Sequence, residues 1–161
     1  MTNATAGHAK RLGALAALKA ILRQFSPPFQ AVYIGEPLGI PVGIDYAAAL
    51  WFVGESEKTK TMANVMVTTQ LRLRVYWRPR LAPADREALE LAVWDCCRDL
   101  QSAIRLDSQL GGNVSDLEIS LAEGNGWAAV GPLDQTGEPT RYRVLTFDVE
   151  LWELEAEEYT P

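Results

Sequence analysis

The sequence predicts an α+β fold, with one mostly antiparallel or mixed β-sheet of about four to five strands packed against two main helices. Three observations carry that expectation. Within Met62–Arg78, Val65, Val67, Thr69, Leu71, Leu73, Val75 and Trp77 alternate without a break, the period of a strand with one face on a core. Ala9–Phe25 and Pro83–Arg105 instead repeat apolar residues at three and four positions, the spacing of amphipathic helices. The other strand-like stretches each keep a polar face, so the helices belong on the apolar one.

In chain order, Leu12, Leu15, Leu18, Leu22 and Phe25 mark the first helix, after a short flexible terminus of about residues 1–5. The prolines of "SPPF", Ser26–Phe29, end it. "AVYIG" reads as a short strand stopped by Gly35 and Pro37. Gly35–Tyr46 scatters glycine and proline among apolar residues and reads as a loop whose Leu38, Ile40, Val42 and Ile44 need a partner if exposed. "AALWFVG" then reads as a buried strand, placing Trp51 in the core, and "ESEKTK" has the composition of a mobile loop.

Beyond the long strand, Pro83 opens the second helix where its missing N–H costs nothing, with Asp85 and Glu87 in the favoured first turn. Leu89, Val93, Cys96, Leu100 and Ile104 form its apolar stripe, which ends near Arg105. "VSDLEISL" and "RYRVLTFDVELWEL" alternate Leu117, Ile119 and Leu121, then Leu145, Phe147, Val149 and Leu151, as half-buried strands. Between them "AEGNGWAAVGPLDQTGEPT" reads as a long glycine-rich loop. The end, about 154–161, is an acidic tail. No repeat or linker divides the chain, so residues 1–161 form one domain.

Lys and Arg number 15 against 21 acids, a net charge of −6, which argues against a surface devoted to gripping nucleic acid. Lys10, Arg11, Lys19 and Arg23 interrupt any signal-like apolar run near the start, and no stretch approaches the roughly 20 apolar residues that cross a bilayer. The expectation is a protein made and used inside a cell, with no membrane partner.

The chemistry-bearing residues are few. Cys96 and Cys97 are adjacent, with the wrong spacing for a redox pair or zinc site, and are expected to act as small apolar residues with one facing inward. His8, the single histidine, is expected to be solvated. "RLDSQLGGNVSD" brackets two glycines with Asp107 and Asp116, yet it lacks both a calcium-loop oxygen ladder and a phosphate-loop lysine. Turn chemistry is the reading, with Gly111 or Gly112 at positive φ. No catalytic set, cofactor site or metal site is expected.

Arg72, Arg74, Arg78 and Arg80 lie on or near one polar strand face with Tyr76 between them. They could follow a phosphate backbone, but cross-strand pairing with acids such as Asp148 and Glu150 is favoured. Trp127, in the glycine-rich stretch, is either a plug packed onto the body or an anchor for a partner.

Four stretches together carry a family likeness: "RLGALAALKAILRQF", "TQLRLRVYW", "DLQSAIRLDSQLGGNVSD" and "RYRVLTFDVELWE". In this order the chain resembles the tail terminator, or tail completion, proteins of long-tailed, non-contractile phages and related prophages. Ile104, Asp107, Leu110, Gly111 and Gly112 match the L-x-x-D-x-x-L-G-G-like segment with isoleucine in first place, and Trp152 and Glu153 match the aromatic and acid that close the last strand. The loops Gly35–Tyr46 and Gly124–Thr140 match nothing in the family.

The resemblance implies a non-enzymatic virion protein in the tail-neck region, assembled in the host cytoplasm. It implies partnership with itself in a ring, usually a hexamer, with the major tail tube protein and with a head connector or head-completion protein, while DNA passes through without specific binding. A ring beyond a dimer needs two unlike complementary surfaces on each subunit. Arg72, Arg74, Trp127, Leu38 and Ile40 are the expected subunit or partner contacts, and Asp134, Glu138, Glu153 and Glu155 the expected channel-lining acids. The alternatives are another neck or head-closure protein and, in a different class, a small cellular α+β enzyme or ligand-binding domain with its site in the glycine-rich loops.

Overall fold

The computed structural model describes residues 2–59, 64–78, 83–133 and 135–156. Helix α1 (Thr2–Gln24) leads into β1 (Ala31–Ile34), β2 (Tyr46–Thr59) and β3 (Asn64–Trp77); α2 (Pro83–Arg105) follows, then β4 (Asp116–Leu121), β5 (Gly126–Leu133) and β6 (Pro139–Ala156). The six strands form one mixed sheet in the order β1-β2-β3-β6-β4, with β5 also paired to β6. Only β1 runs parallel to its neighbour; the other pairings are antiparallel.

The long alternating strand does what its parity requires. Leu73, Val75 and Trp77 are buried on the helix side with Leu145, Phe147, Val149 and Leu151 of β6, and Val65 and Val67, of the same parity, are buried nearer the start of β3, opposite Glu155 and Glu153. Leu18 and Leu22 of α1 and Val93, Cys96, Leu100 and Ile104 of α2 close this core from above. Gly13 lets α1 approach the turn after α2, since a side chain there would collide with Asn113. α1 leans toward β1 and α2 toward β4, so the helices cover opposite flanks of the same face.

Several expectations change. α1 begins at Thr2, inside the stretch read as a flexible terminus, because Ala4 and Ala6 favour helix beyond the apolar stripe. "ESEKT" is strand rather than loop: β2 continues through it in register with β3, Glu57 opposite Val67 and Lys58 opposite Met66. A β-bulge between Phe52 and Gly54 precedes that extension. Likewise β6 continues into the expected acidic tail, pairing Glu155 with Val65. Glu157, Glu158 and the rest of that tail lie outside the described residues.

The largest difference is the glycine-rich loop. Gly126–Leu133 is a sixth strand, and with β6 it lays a hairpin against the sheet. On the face away from the helices, Ile40, Ala49, Tyr76, Tyr142 and Val144 form a second buried cluster, flanked by Tyr33, Ile44, Trp51, Ala128 and Val130. Trp51 therefore belongs to this second face and is half-buried, not a residue of the main core. Gly131 permits the close fit, because a Cβ there would stand 2.5 Å from Thr140 and 2.8 Å from Tyr142.

Candidate interaction surface

The segment that most suggested a ligand loop is a connector. Asp107 accepts the Gly111 N–H through Oδ1 at 3.1 Å, and Asp116 accepts the Leu117 N–H at 2.8 Å, so each carboxylate serves the backbone beside it. Gly111 and Gly112 both adopt positive φ, 68° and 88°. Leu110 joins them at φ 48°, a conformation costing a non-glycine residue about 1–2 kcal/mol, offset by its complete burial. Asn113 Nδ2 donates to Leu110 O at 2.7 Å and closes the turn. The turn delivers the chain from α2 into β4.

The arginine strip finds its first partners inside the chain. Arg72 faces Asp148 across β3 and β6 and pairs with it at 3.4 Å, both side chains partly exposed. Arg74 donates from Nε to the Thr146 hydroxyl at 2.9 Å and lies over the Trp51 ring, 5.6 Å from its centroid. Arg78 pairs with Asp45 at 3.8 Å. Cross-strand pairing accounts for Arg72, and Arg80 lies outside the described residues. Beside Arg72, a shallow depression of about 170 Å³ is lined by Gln70, Ser120, Asp148 and Glu150.

The loop between β1 and β2 is anchored at its base and open at its tip. Ile40, expected as a partner contact, is instead 2% exposed and fills the second core, with its N–H donating to Val130 O at 2.5 Å. The Tyr142 hydroxyl donates to Ile44 O at 2.7 Å. Leu38 and Val42, on either side of Ile40, stand in solvent, Leu38 completely. An apolar loop thus divides into an inward plug and an outward tip.

A second exposed apolar group lies on the flank where α2 meets β5 and β6. Glu90 of α2 receives Arg143 of β6 in a two-pronged pair, Nε to Oε1 at 3.0 Å and Nη2 to Oε2 at 3.2 Å. That arginine holds the Glu90 carboxyl below its ordinary pKa, mainly by hydrogen bonding. Trp127 is directly opposite Arg143 in the β5–β6 register, and Trp94 follows Glu90 by one helical turn. Trp127 is half exposed and Trp94 is 74% exposed, with Leu91 next to Glu90 also exposed. Trp127 is no plug. Trp94 escaped the sequence reading, although with Leu91 it falls outside the stripe of Leu89, Val93 and Cys96.

On the opposite flank, a groove of about 210 Å³ runs between α1 and the sheet, with a floor of Ile34, Leu50, Phe52 and Leu71, and with Leu15 and Arg11 on its α1 side. Among the expected channel acids, Glu153 is buried on the helix side of β6 opposite Val67, so this chain does not present it to a lumen. Glu138 is exposed in the turn between β5 and β6. Glu155 is placed by its backbone alone, and Asp134 lies outside the described residues.

Cys96 is buried and Cys97 half-buried, as their adjacency on a helix requires. A pocket of about 230 Å³ reaches Cys96 between Phe25, Pro27, Tyr46 and Trp77. Burial pushes the Cys96 thiol up to about 12 and Tyr46 upward as well, so neither is activated for nucleophilic or acid–base work near neutrality. Among the described residues, no group of three or more His, Cys, Asp or Glu is arranged to hold a metal, and no helix is long and apolar enough to cross a membrane. No protein-family model matches the chain, and no curated protein matches it.

Proposed function

We propose that the protein is a structural, non-enzymatic assembly protein of the tail-terminator type, a ring that caps the phage tail tube, ends its growth and offers the surface that joins the head. The observation that carries this reading is the anchored loop between β1 and β2. Ile40 and the bonds at Val130 and Ile44 fix its base, so Leu38 and Val42 project from a rigid platform. A pre-ordered apolar tip spends little entropy on docking and removes its own exposed surface from water when a partner covers it.

The stretches that carry the family likeness support the reading, since they fold as α1, β3, α2 with its Asp107 turn, and β6 of one body. In this reading the partners are other copies of the chain, by resemblance in a hexamer, the major tail tube protein and a head connector, in the virion neck after assembly in the host cytoplasm. Glu138, and Asp116, Glu118 and Glu150 on the uncovered half of the second sheet face, are acids available to a lumen through which DNA slides. A basic lining would retain it through counterion release.

Electron microscopy of particles assembled without the protein tests the proposal. Tails of uncontrolled length without heads are expected. Tails of normal length joined to heads would overturn it, and tails of normal length with detached heads would favour the neck-protein alternative.

A further inference from the structure

We propose that the two flanks of the sheet are knob and hole for one another, so that Trp94 of one copy, flanked by Leu91 and Trp127 at the rim, seats in the α1 groove of the next. This inference rests on the reading of the protein as one that assembles with itself. The surfaces are unlike and lie apart: the groove is on the α1 and β1 side, the aromatic group on the α2, β5 and β6 side. An apolar knob and a complementary pocket on different parts of one chain produce a head-to-tail contact, which closes into a ring when its rotation permits.

Shape, charge and area agree on the occupant. The groove holds about 210 Å³ above an aliphatic and aromatic floor, space for an aromatic side chain. Its wall, α1, bears Lys10, Arg11, Lys19 and Arg23 and no acid, whereas on α2 the acids outnumber the arginines. Glu87 shares the outward stripe of Leu91 and Trp94, being one turn before Leu91, and so approaches a basic wall when the knob docks. Arg11 on the groove wall can cover an incoming indole, the pairing the chain already uses between Arg74 and Trp51.

A tryptophan buries about 150–250 Å² in all, of which Trp94 and Trp127 still expose 74% and 52%, so with Leu91 they offer about 300–400 Å² toward the roughly 800 Å² per partner of a stable contact. The aromatic group therefore supplies roughly half of such an interface, which makes the contact concentration-dependent in free solution. The Glu90–Arg143 pair ties α2, one turn before Trp94, to the β6 residue opposite Trp127, and so fixes the knob before docking.

The test is sedimentation of the full chain over a wide concentration range, with Trp94→Glu as the knob variant and Phe52→Glu as the hole variant. Both residues are exposed in the single chain, so each variant should keep the wild-type unfolding midpoint. The wild type is expected to form species larger than a dimer, and each variant to weaken association about thirty-fold or more, as loss of an aromatic hot spot does. Mixed together, the variants should form dimers and nothing larger, because the intact knob of one fits the intact hole of the other. A wild type that stays monomeric throughout, or assembly unchanged in both folded variants, overturns the contact. Tail length in particles lacking the protein is a separate readout, so the capping role can fail or stand independently of this result.

Discussion

The two faces of the sheet are buried by different means. The helix-covered face is closed by long aliphatic and aromatic side chains, Leu73, Phe147, Val149 and Trp77 against Leu18, Leu22 and Leu100. The opposite face is closed over only part of its length, by a hairpin and a loop on a base of Ala49, Tyr76 and Tyr142. The first is a core that holds the fold together. The second is a mount that positions a loop, with Leu38 and Val42 exposed at its tip.

The largest effect that would sharpen this contrast is on the helix-covered side. Leu73→Ala or Phe147→Ala should cost about 2–5 kcal/mol in urea unfolding, as large-to-small changes in a packed core do. Values near zero at both positions would mean that the strands are turned the other way. On the second face, Gly131→Ala should cost about 1–3 kcal/mol, because the new methyl group meets Thr140 and the Tyr142 ring with no flexible end to yield. A neutral Gly131→Ala would detach β5 from the mount.

Smaller effects separate the two tyrosines. Tyr142→Phe removes the bond to Ile44 O and should cost about 1 kcal/mol while speeding amide exchange in the loop around Leu38. The Tyr76 hydroxyl is buried near the Arg74 guanidinium but makes no hydrogen bond of good geometry among the described residues, so Tyr76→Phe should be close to neutral. Equal losses at both positions would contradict the anchoring role given to Tyr142.

At the flank, Glu90→Gln should cost less than about 1 kcal/mol, because the Glu90 side chain is itself more than half exposed to solvent. The folded pKa of Glu90 is lowered, so the ionised pair contributes above the ordinary glutamate range and loses its contribution as pH falls through the lowered value. The difference between wild type and Glu90→Gln should shrink over that acid range. The smallest effect concerns the thiols: in the folded protein at mildly alkaline pH, alkylation should reach Cys97 before Cys96, which burial keeps protonated. Cys96→Ala with Cys97→Ala should retain assembly.

The same contrast explains what could be read from the sequence. Alternation of Val, Leu and Trp in β3 and the four-residue spacing in α2 are strong periodic signals, and they placed Leu73, Val75, Trp77, Val93, Cys96, Leu100 and Ile104 in the main core, with Leu71 and Leu89 at its edge. β5 carries no such signal: five of the eight residues of "GWAAVGPL" are glycine, alanine or proline, and it becomes a strand because β6 offers an edge. "ESEKT" was illegible for the opposite reason, since a polar strand on a long neighbour has loop composition. Among the surface residues, Leu38 and Trp127 were legible as apolar groups in loop-like sequence. Ile40 was misplaced because parity has no meaning in a loop, and only the fold shows which side is the plug.

The most direct test of the central claim is electron microscopy of uncapped tail tubes mixed with the wild type or with a Leu38→Asp, Val42→Asp variant. Both positions are solvent-exposed, so the variant should unfold at the wild-type midpoint. The account predicts that the wild type caps one end of each tube and that the variant leaves the ends bare. A wild type that leaves tube ends uncapped, or a variant that caps them equally well, would contradict it.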